Sequence, residues 1–146
     1  SGIEPGMGVI GPSGIIGKVF SVSDNYATIS SALNIDVLTS AIIKSDGTFC
    51  TARWSGEDPR YINLLYVPRH ISVQKGDSVV TSGFNPVFPS DVLIGVIEDV
   101  SLKESESFYS VKVALSTDFF NLSQVYVIKN PLAEERNSLE ENLFIP

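Results

Sequence analysis

Three places in this chain hold residue types that could do chemistry: a serine after a turn, a lone histidine, and a glycine-rich stretch ahead of a lysine. Ser78 lies in Gly76-Asp77-Ser78, the order of a nucleophile loop. Activating a serine takes a histidine base that is itself held by a carboxylate. His70 is the single histidine, and Pro68-Arg69-His70 reads as a surface connection. Val79-Val80 continues a strand where a nucleophile loop would run on in glycines. Gly11-Pro12-Ser13-Gly14-Ile15-Ile16-Gly17-Lys18 invites comparison with a phosphate cradle. Its glycine spacing is wrong, Val19 stands where Ser or Thr would ligate magnesium, and a strand follows where a helix must supply amides. One cysteine with one histidine cannot make a zinc set, and Asp91, Glu98, Asp99, Glu104 and Glu106 match no calcium loop. No acid–base pair can be nominated, so the expectation is no enzyme, no metal and no cofactor.

Contact chemistry has a better candidate. Phe84-Asn85-Pro86-Val87-Phe88-Pro89 combines apolar side chains with a stiff backbone outside any strand. Two prolines reduce the entropy lost on docking, and two phenylalanines offer contact area. Phe84, Val87 and Phe88 are therefore the expected partner-binding residues. The competing reading is that Phe88 folds back to plug a barrel end.

The elements that must position these residues are strands. Short alternating runs occur at 18–22, 27–33, 37–43, 48–54 and 63–67, then at 78–81, 93–100, 108–115 and 125–128. Helical periodicity is nearly absent; only 117–122 and 132–143 could form a turn or more of helix. Many short strands split by Gly, Pro, Asn and Asp predict an all-β sandwich or barrel. Gly14, Gly76, Asp77 and Gly83 mark turns. Cys50 shares a strand face with Ala52 and Trp54, which predicts a small buried hydrophobe and an inward-facing tryptophan.

The two halves resemble each other. Ile16-Gly17 aligns with Ile94-Gly95 and Val22 with Val100, after which Ala27, Ile29, Ser31 and Leu33 align with Tyr109, Val111, Val113 and Leu115. The second copy has the longer hairpin, through Lys103-Glu104-Ser105-Glu106. Two similar strand sets predict two small barrels that close their own edges, with Gly17 and Gly95 as mid-strand bend points. The expected division is a first barrel over 7–70, a second over 71–130 with possible insertion or strand exchange, and an acidic tail over 131–146. That tail is short of core residues and reads as disordered, with a docked helix using Leu132, Leu139 and Leu143 as the alternative.

Composition excludes some partners. The 146 residues are 43% hydrophobic, which suits a folded core. A net charge of -7, a pI near 4.5 and basic residues scattered singly argue against nucleic acid or an anionic membrane surface. No run approaches the ~20 apolar residues of a membrane span. Ser1-Gly2 reads as a cleavage scar, so the natural N-terminus is expected to lie further upstream.

The ordered motifs resemble the MreC family of bacterial rod shape-determining proteins. They are Gly14-x-x-Gly17-Lys18-Val19, Leu64-Leu65-Tyr66-Val67-Pro68, Lys75-Gly76-Asp77 through Gly83, Val87-Phe88-Pro89 and Ile94-Gly95-Val96-Ile97. Ser90-Asp91-Val92 and Lys44-Ser45-Asp46-Gly47 depart from the family pattern, both in loops. The resemblance implies a pair of six-stranded β-barrels on the periplasmic face of the inner membrane, anchored by an N-terminal helix. It implies a non-catalytic scaffold for side-wall peptidoglycan synthesis, with self-association and contacts to MreD, the MreB system and class B penicillin-binding transpeptidases. Competing functions are a degenerate trypsin-like double-barrel hydrolase and a glycan-binding module, the latter disfavoured because Trp54 is the single tryptophan.

Overall fold

The protein is described by a computed structural model covering residues 2–84, 87–122 and 125–128. The expected tail at 131–146 lies outside the described residues. All regular elements among the described residues are strands: β1 (Gly8–Gly11), β2 (Gly14–Val22), β3 (Ala27–Ser31), β4 (Thr39–Ile43) and β5 (Thr48–Arg53), then β6 (Tyr61–Pro68), β7 (Ser78–Thr81), β8 (Leu93–Ser101), β9 (Phe108–Leu115) and β10 (Tyr126–Ile128). Residues 117–122 form a turn, not a helix. No helix of the described residues is long and apolar enough to cross a membrane.

Six strands close a barrel in the order β4-β5-β6-β9-β8-β7, and a separate four-stranded sheet runs β10-β1-β2-β3. The all-β expectation therefore holds, but one barrel closes among the described residues, not two. The boundary expected between residues 70 and 71 also runs through that barrel, which takes β4–β6 from one side of it and β7–β9 from the other.

Alternation produces these elements. β4 buries Thr39, Ala41 and Ile43 on one face, and β9 buries Val111 and Val113, the period-2 signature of a sheet with one apolar side. Ala41, Ile43, Val111 and Val113 fill the barrel together with Cys50, Ala52, Ile62, Leu64, Val67, Val79, Ile94 and Ile97. Ile15 of β2 and Ala32, just past β3, join the same cluster from the side of the other sheet, whose own core is Val9, Ile16 and Val19. Phe119 packs against both clusters, and the buried Thr117 donates from Oγ1 to the Ile15 carbonyl at 2.9 Å. The two sheets thus share a core.

The internal repeat is real in the ladders, in a different register from the one the pattern suggests. β1-β2-β3 matches β7-β8-β9 rung for rung. Val9 faces Gly17 and Val79 faces Gly95, and each ladder then shifts, leaving Ile16 and Ile94 as the extra residues. Val19 faces Ile29 while Ile97 faces Val113, and Gly17 faces Ser31 while Gly95 faces Leu115. Ile29 therefore corresponds to Val113, not Val111. A slip of two residues keeps every side chain on its face, so alternation alone does not detect it.

Candidate protein-interaction surface

The β7–β8 connection is built on a buried threonine. Thr81 donates from Oγ1 to the Pro89 carbonyl at 2.6 Å and accepts there from the Val92 amide at 2.9 Å. Its amide donates to the Val92 carbonyl at 2.8 Å, and its carbonyl accepts from Asp91 at 2.9 Å. Backbone bonds and hydroxyl together pinch the neck of the loop. Asp91 sits at a φ of 71° there, with its carboxylate 3.4 Å from the exposed Lys44 ammonium. Gly83 packs against Ser90 across the neck.

The three expected contact residues separate. Phe88 is 6% exposed, belongs to the barrel core cluster and packs on Gly8, where any side chain would strike its ring. Burial in the core leaves Phe88 little surface to offer a partner, in line with the reading that folds it back onto the barrel. Val87 is half-buried against the same cluster. Phe84 is 76% exposed, and its amide is tied back to Ser82 Oγ at 3.1 Å.

Phe84 is not isolated. Its ring meets Phe49 edge-on, with centroids 6.3 Å apart and planes at 69°. Phe49 points outward from β5, opposite Ile42, and is 65% exposed. Outward alternation in Thr48-Phe49-Cys50 could have flagged it, but its meeting with Phe84 is made by the barrel's closure.

A second exposed pair lies on another part of the barrel. Tyr66 and Phe108 pack edge-on at 5.9 Å and 82°, with exposures of 62% and 45%. Tyr66 has a φ of 66°, where the β6–β9 register shifts between Leu64 and Val67. A non-glycine residue in the left-handed region at a bulge re-aims its side chain at a conformational cost of order 1–3 kcal/mol. Sequence alternation gave no signal for this residue.

The remaining candidates are structural in placement. Gly76 has a φ of 98° and open space around it, and its amide donates to the Ile97 carbonyl at 2.8 Å. Asp77 closes the same turn by accepting the Gln74 amide at 3.0 Å. Gly14 ends the two-residue β1–β2 hairpin and abuts the Leu93 carbonyl, so the supposed phosphate cradle is an antiparallel turn. At Gly17 and Gly95 a Cβ would strike the carbonyls of Ser30 and Ala114 respectively, so both bends require close backbone approach.

The chemistry elsewhere is sparse. Ser78 is half-buried in β7 opposite Val96, His70 is exposed after β6, and no hydrogen bond joins them. Among the described residues no group of three metal-ligating side chains comes together. Burial, reinforced by nearby Asp46, pushes the Cys50 thiol up to about 12, which keeps it protonated and unreactive. Arg60 forks onto the half-buried Asp58 carboxylate at 2.8 Å, and its hydrogen bonds hold that acid down at about 2. Trp54 is half-buried against the core and donates from Nε1 to the Asp58 carbonyl at 3.1 Å.

Residues 1–129 match the family described as "Rod shape-determining protein MreC, barrel core". The cell shape-determining protein MreC of Listeria monocytogenes is 30% identical over 131 residues, covering 88% of this chain and 44% of that protein. The chain thus spans less than half the length of that relative. The crystal structure of MreC from Pseudomonas aeruginosa superposes with a TM-score of 0.82 at 21% identity, covering 87% of this chain and 81% of that one. The MreC in a complex with penicillin-binding protein PBP2 from Helicobacter pylori gives 0.68 at 15% identity, covering 86% and 78%. With the barrel, the bulged glycine strands and this match across nearly the whole chain in agreement, the chain belongs to the MreC family of rod shape-determining proteins.

Proposed function

We propose that this chain is the contact-making part of a non-catalytic scaffold for bacterial side-wall peptidoglycan synthesis. It acts on the periplasmic face of the inner membrane, in a protein anchored there by a segment outside this sequence. Its expected partners are a class B penicillin-binding transpeptidase, MreD and the MreB system, with weak self-association beside them. The observation that carries this reading is the exposed Phe49–Phe84 pair, set on a rigid barrel by a hydrogen-bonded loop neck. Paired exposed aromatics on stiff backbone suit contact more than chemistry. The Helicobacter pylori relative was solved in complex with PBP2, which supports a transpeptidase as the partner class. Function would then be geometric, with the barrel holding a synthase in place through a modest transient interface.

The test is binding of the purified chain to the periplasmic part of its class B transpeptidase, read by biolayer interferometry. Phe49→Ser and Phe84→Ser should each weaken binding while leaving the melting curve in place. Wild-type affinity in the folded double variant would remove the aromatic pair from the interface.

A further inference from the structure

The two exposed aromatic pairs stand on neighbouring strands of one barrel wall. β5, β6 and β9 are consecutive in the closed barrel. Thr51 faces Leu65 across the antiparallel β5–β6 ladder, so Phe49, before Thr51, and Tyr66, after Leu65, lie toward the same end of the barrel. Phe108 faces Pro68 at that end too. Cys50 and Ala52 turn inward on β5, as Val111 and Val113 do on β9, which turns Phe49 and Phe108 outward. Neighbouring strands stand about 4.8 Å apart, so the three outward positions fall within roughly 10 Å across the wall. Phe84 adds one more ring on the β5 side.

On β6 a bulge supplies the aromatic. Leu64 and Val67 are both buried although they are three positions apart, where strict alternation puts one of them outside. The ladder shifts between them, and Leu65 and Tyr66 are both left on the outer side, half-buried and exposed respectively. Glycine is the residue that takes a left-handed φ without strain, yet the chain holds a tyrosine at 66° there, with its ring against Phe108. Closing the barrel does not need that ring.

Beside the pair runs a groove of about 270 Å³, with Leu65, Tyr66, Glu106 and Phe108 on its wall. Arg69 fixes the hairpin that borders it. Its guanidinium donates to the carbonyls of Glu104 and Glu106, both at 3.1 Å, and its amide to the Ser107 carbonyl at 3.1 Å. Glu106 and Phe108 are thus set in place before any partner arrives, which lowers the cost of docking. Glu106 is the one charged residue among those lining the groove, and its carboxylate makes no ion pair among the described residues.

We propose, resting on the transpeptidase reading above, that Tyr66 and Phe108 are the second half of the surface begun by Phe49 and Phe84. One folded partner covers both pairs, with an apolar ridge along the rings and a lysine or arginine at the end that meets Glu106. Aromatic faces beside a carboxylate favour a cationic side chain. A row of this span fits within the ~800 Å² that each partner contributes to an ordinary interface.

The test uses the full chain and the periplasmic part of its class B transpeptidase, read by biolayer interferometry, with a melting curve for every variant. Tyr66→Gly deletes the ring and keeps a residue at ease with the left-handed φ. It should hold Tm within roughly 4 °C of wild type and weaken binding roughly tenfold. Phe108→Ser should weaken binding similarly, whereas Tyr66→Phe, which keeps the ring, should bind within about twofold of wild type. Glu106→Lys should slow association and reverse its dependence on salt, because a screened attraction becomes a screened repulsion. Wild-type affinity in folded Tyr66→Gly and Phe108→Ser, beside weakened Phe49→Ser and Phe84→Ser, overturns the proposal and leaves the transpeptidase reading standing. Wild-type affinity in all four removes both. Loss at Tyr66 and Phe108 alone overturns the shared surface, and a Tyr66→Gly protein that melts far below wild type makes the ring structural and overturns it too. An association rate and salt slope unchanged in Glu106→Lys overturn the basic residue's place at the groove. Sedimentation that shows lost self-association with transpeptidase binding intact gives the pair to a second copy, and also overturns the proposal.

Discussion

Replacing Gly95 by alanine isolates the bend of β8 from every other feature of the fold. A Cβ built at Gly95 strikes the Ala114 carbonyl oxygen and sits 2.8 Å from Val113 Cγ1. The first neighbour is backbone in the β8–β9 ladder, where Gly95 pairs with Leu115 and Val96 with Ala114. It cannot swing aside as a side-chain tip would, so relief requires opening the ladder beside two fully buried residues, Val113 and Ile94. Overpacking in a tight core costs about 1–3 kcal/mol, and a backbone neighbour places this case at the upper end, about 3 kcal/mol. For a chain of this size that corresponds to a fall in Tm of roughly 10 °C. Gly95→Val should cost more still. Gly17→Ala meets the Ser30 carbonyl in the same way and should fall in the same range. Gly47 is the control: its φ is 74°, but nothing lies within 4 Å of an added Cβ. Gly47→Ala therefore carries backbone strain of about 1 kcal/mol without a clash. Thermal and urea unfolding by circular dichroism measures all four. A Gly95→Ala melting curve within experimental error of the Gly47→Ala curve would refute the close-approach argument.

Phe88→Ser should cost about 3–5 kcal/mol, because it empties a core site, while Phe84→Ser should leave stability within about 0.5 kcal/mol of wild type. Paired urea titrations check both. Cys50 should resist alkylation in the folded protein at pH 8 and label fully in urea, as counted by mass spectrometry. Burial raises its folded pKa from an ordinary 9.0 to about 12, so between those values the unfolded chain loses a proton that the folded chain keeps. Stability should therefore fall as pH rises through that window, and Cys50→Ala should remove this component from the pH profile. Thr81→Val should cost about 2 kcal/mol, since it leaves the Val92 amide and the Pro89 carbonyl without their shared hydroxyl. Hydrogen exchange should show the 82–92 loop opening before the barrel does.

The all-β class, most strand positions and the two close-approach glycines were legible in the sequence, because alternation and turn residues are local signals. β1 was not. Gly8-Val9-Ile10-Gly11 is four residues with no alternation, and only its two neighbours, β2 and β10, make it a strand. The exposed pairs were half legible: Phe84 stood out as a loop aromatic, but Phe49 reaches it through barrel closure, and the left-handed φ of Tyr66 follows from a bulge in a long-range ladder. Phe88 looked no different from Phe84 on paper. Its fate was set by the space beside Gly8, some eighty positions away in sequence.

What the sequence determined by itself is the period-2 pattern that makes strands and the places where a missing side chain allows a bend. Only the tertiary structure decided register and closure. A two-residue slip preserves every inward and outward face, so the true match of Ile29 with Val113 is invisible to alternation and is selected by which carbonyl meets which amide. Closure is likewise non-local: β6 bonds β9 across more than forty residues, and no comparable strand among the described residues reaches β3. Among the described residues, similar local patterns therefore end as a closed barrel on one side and a four-stranded sheet on the other.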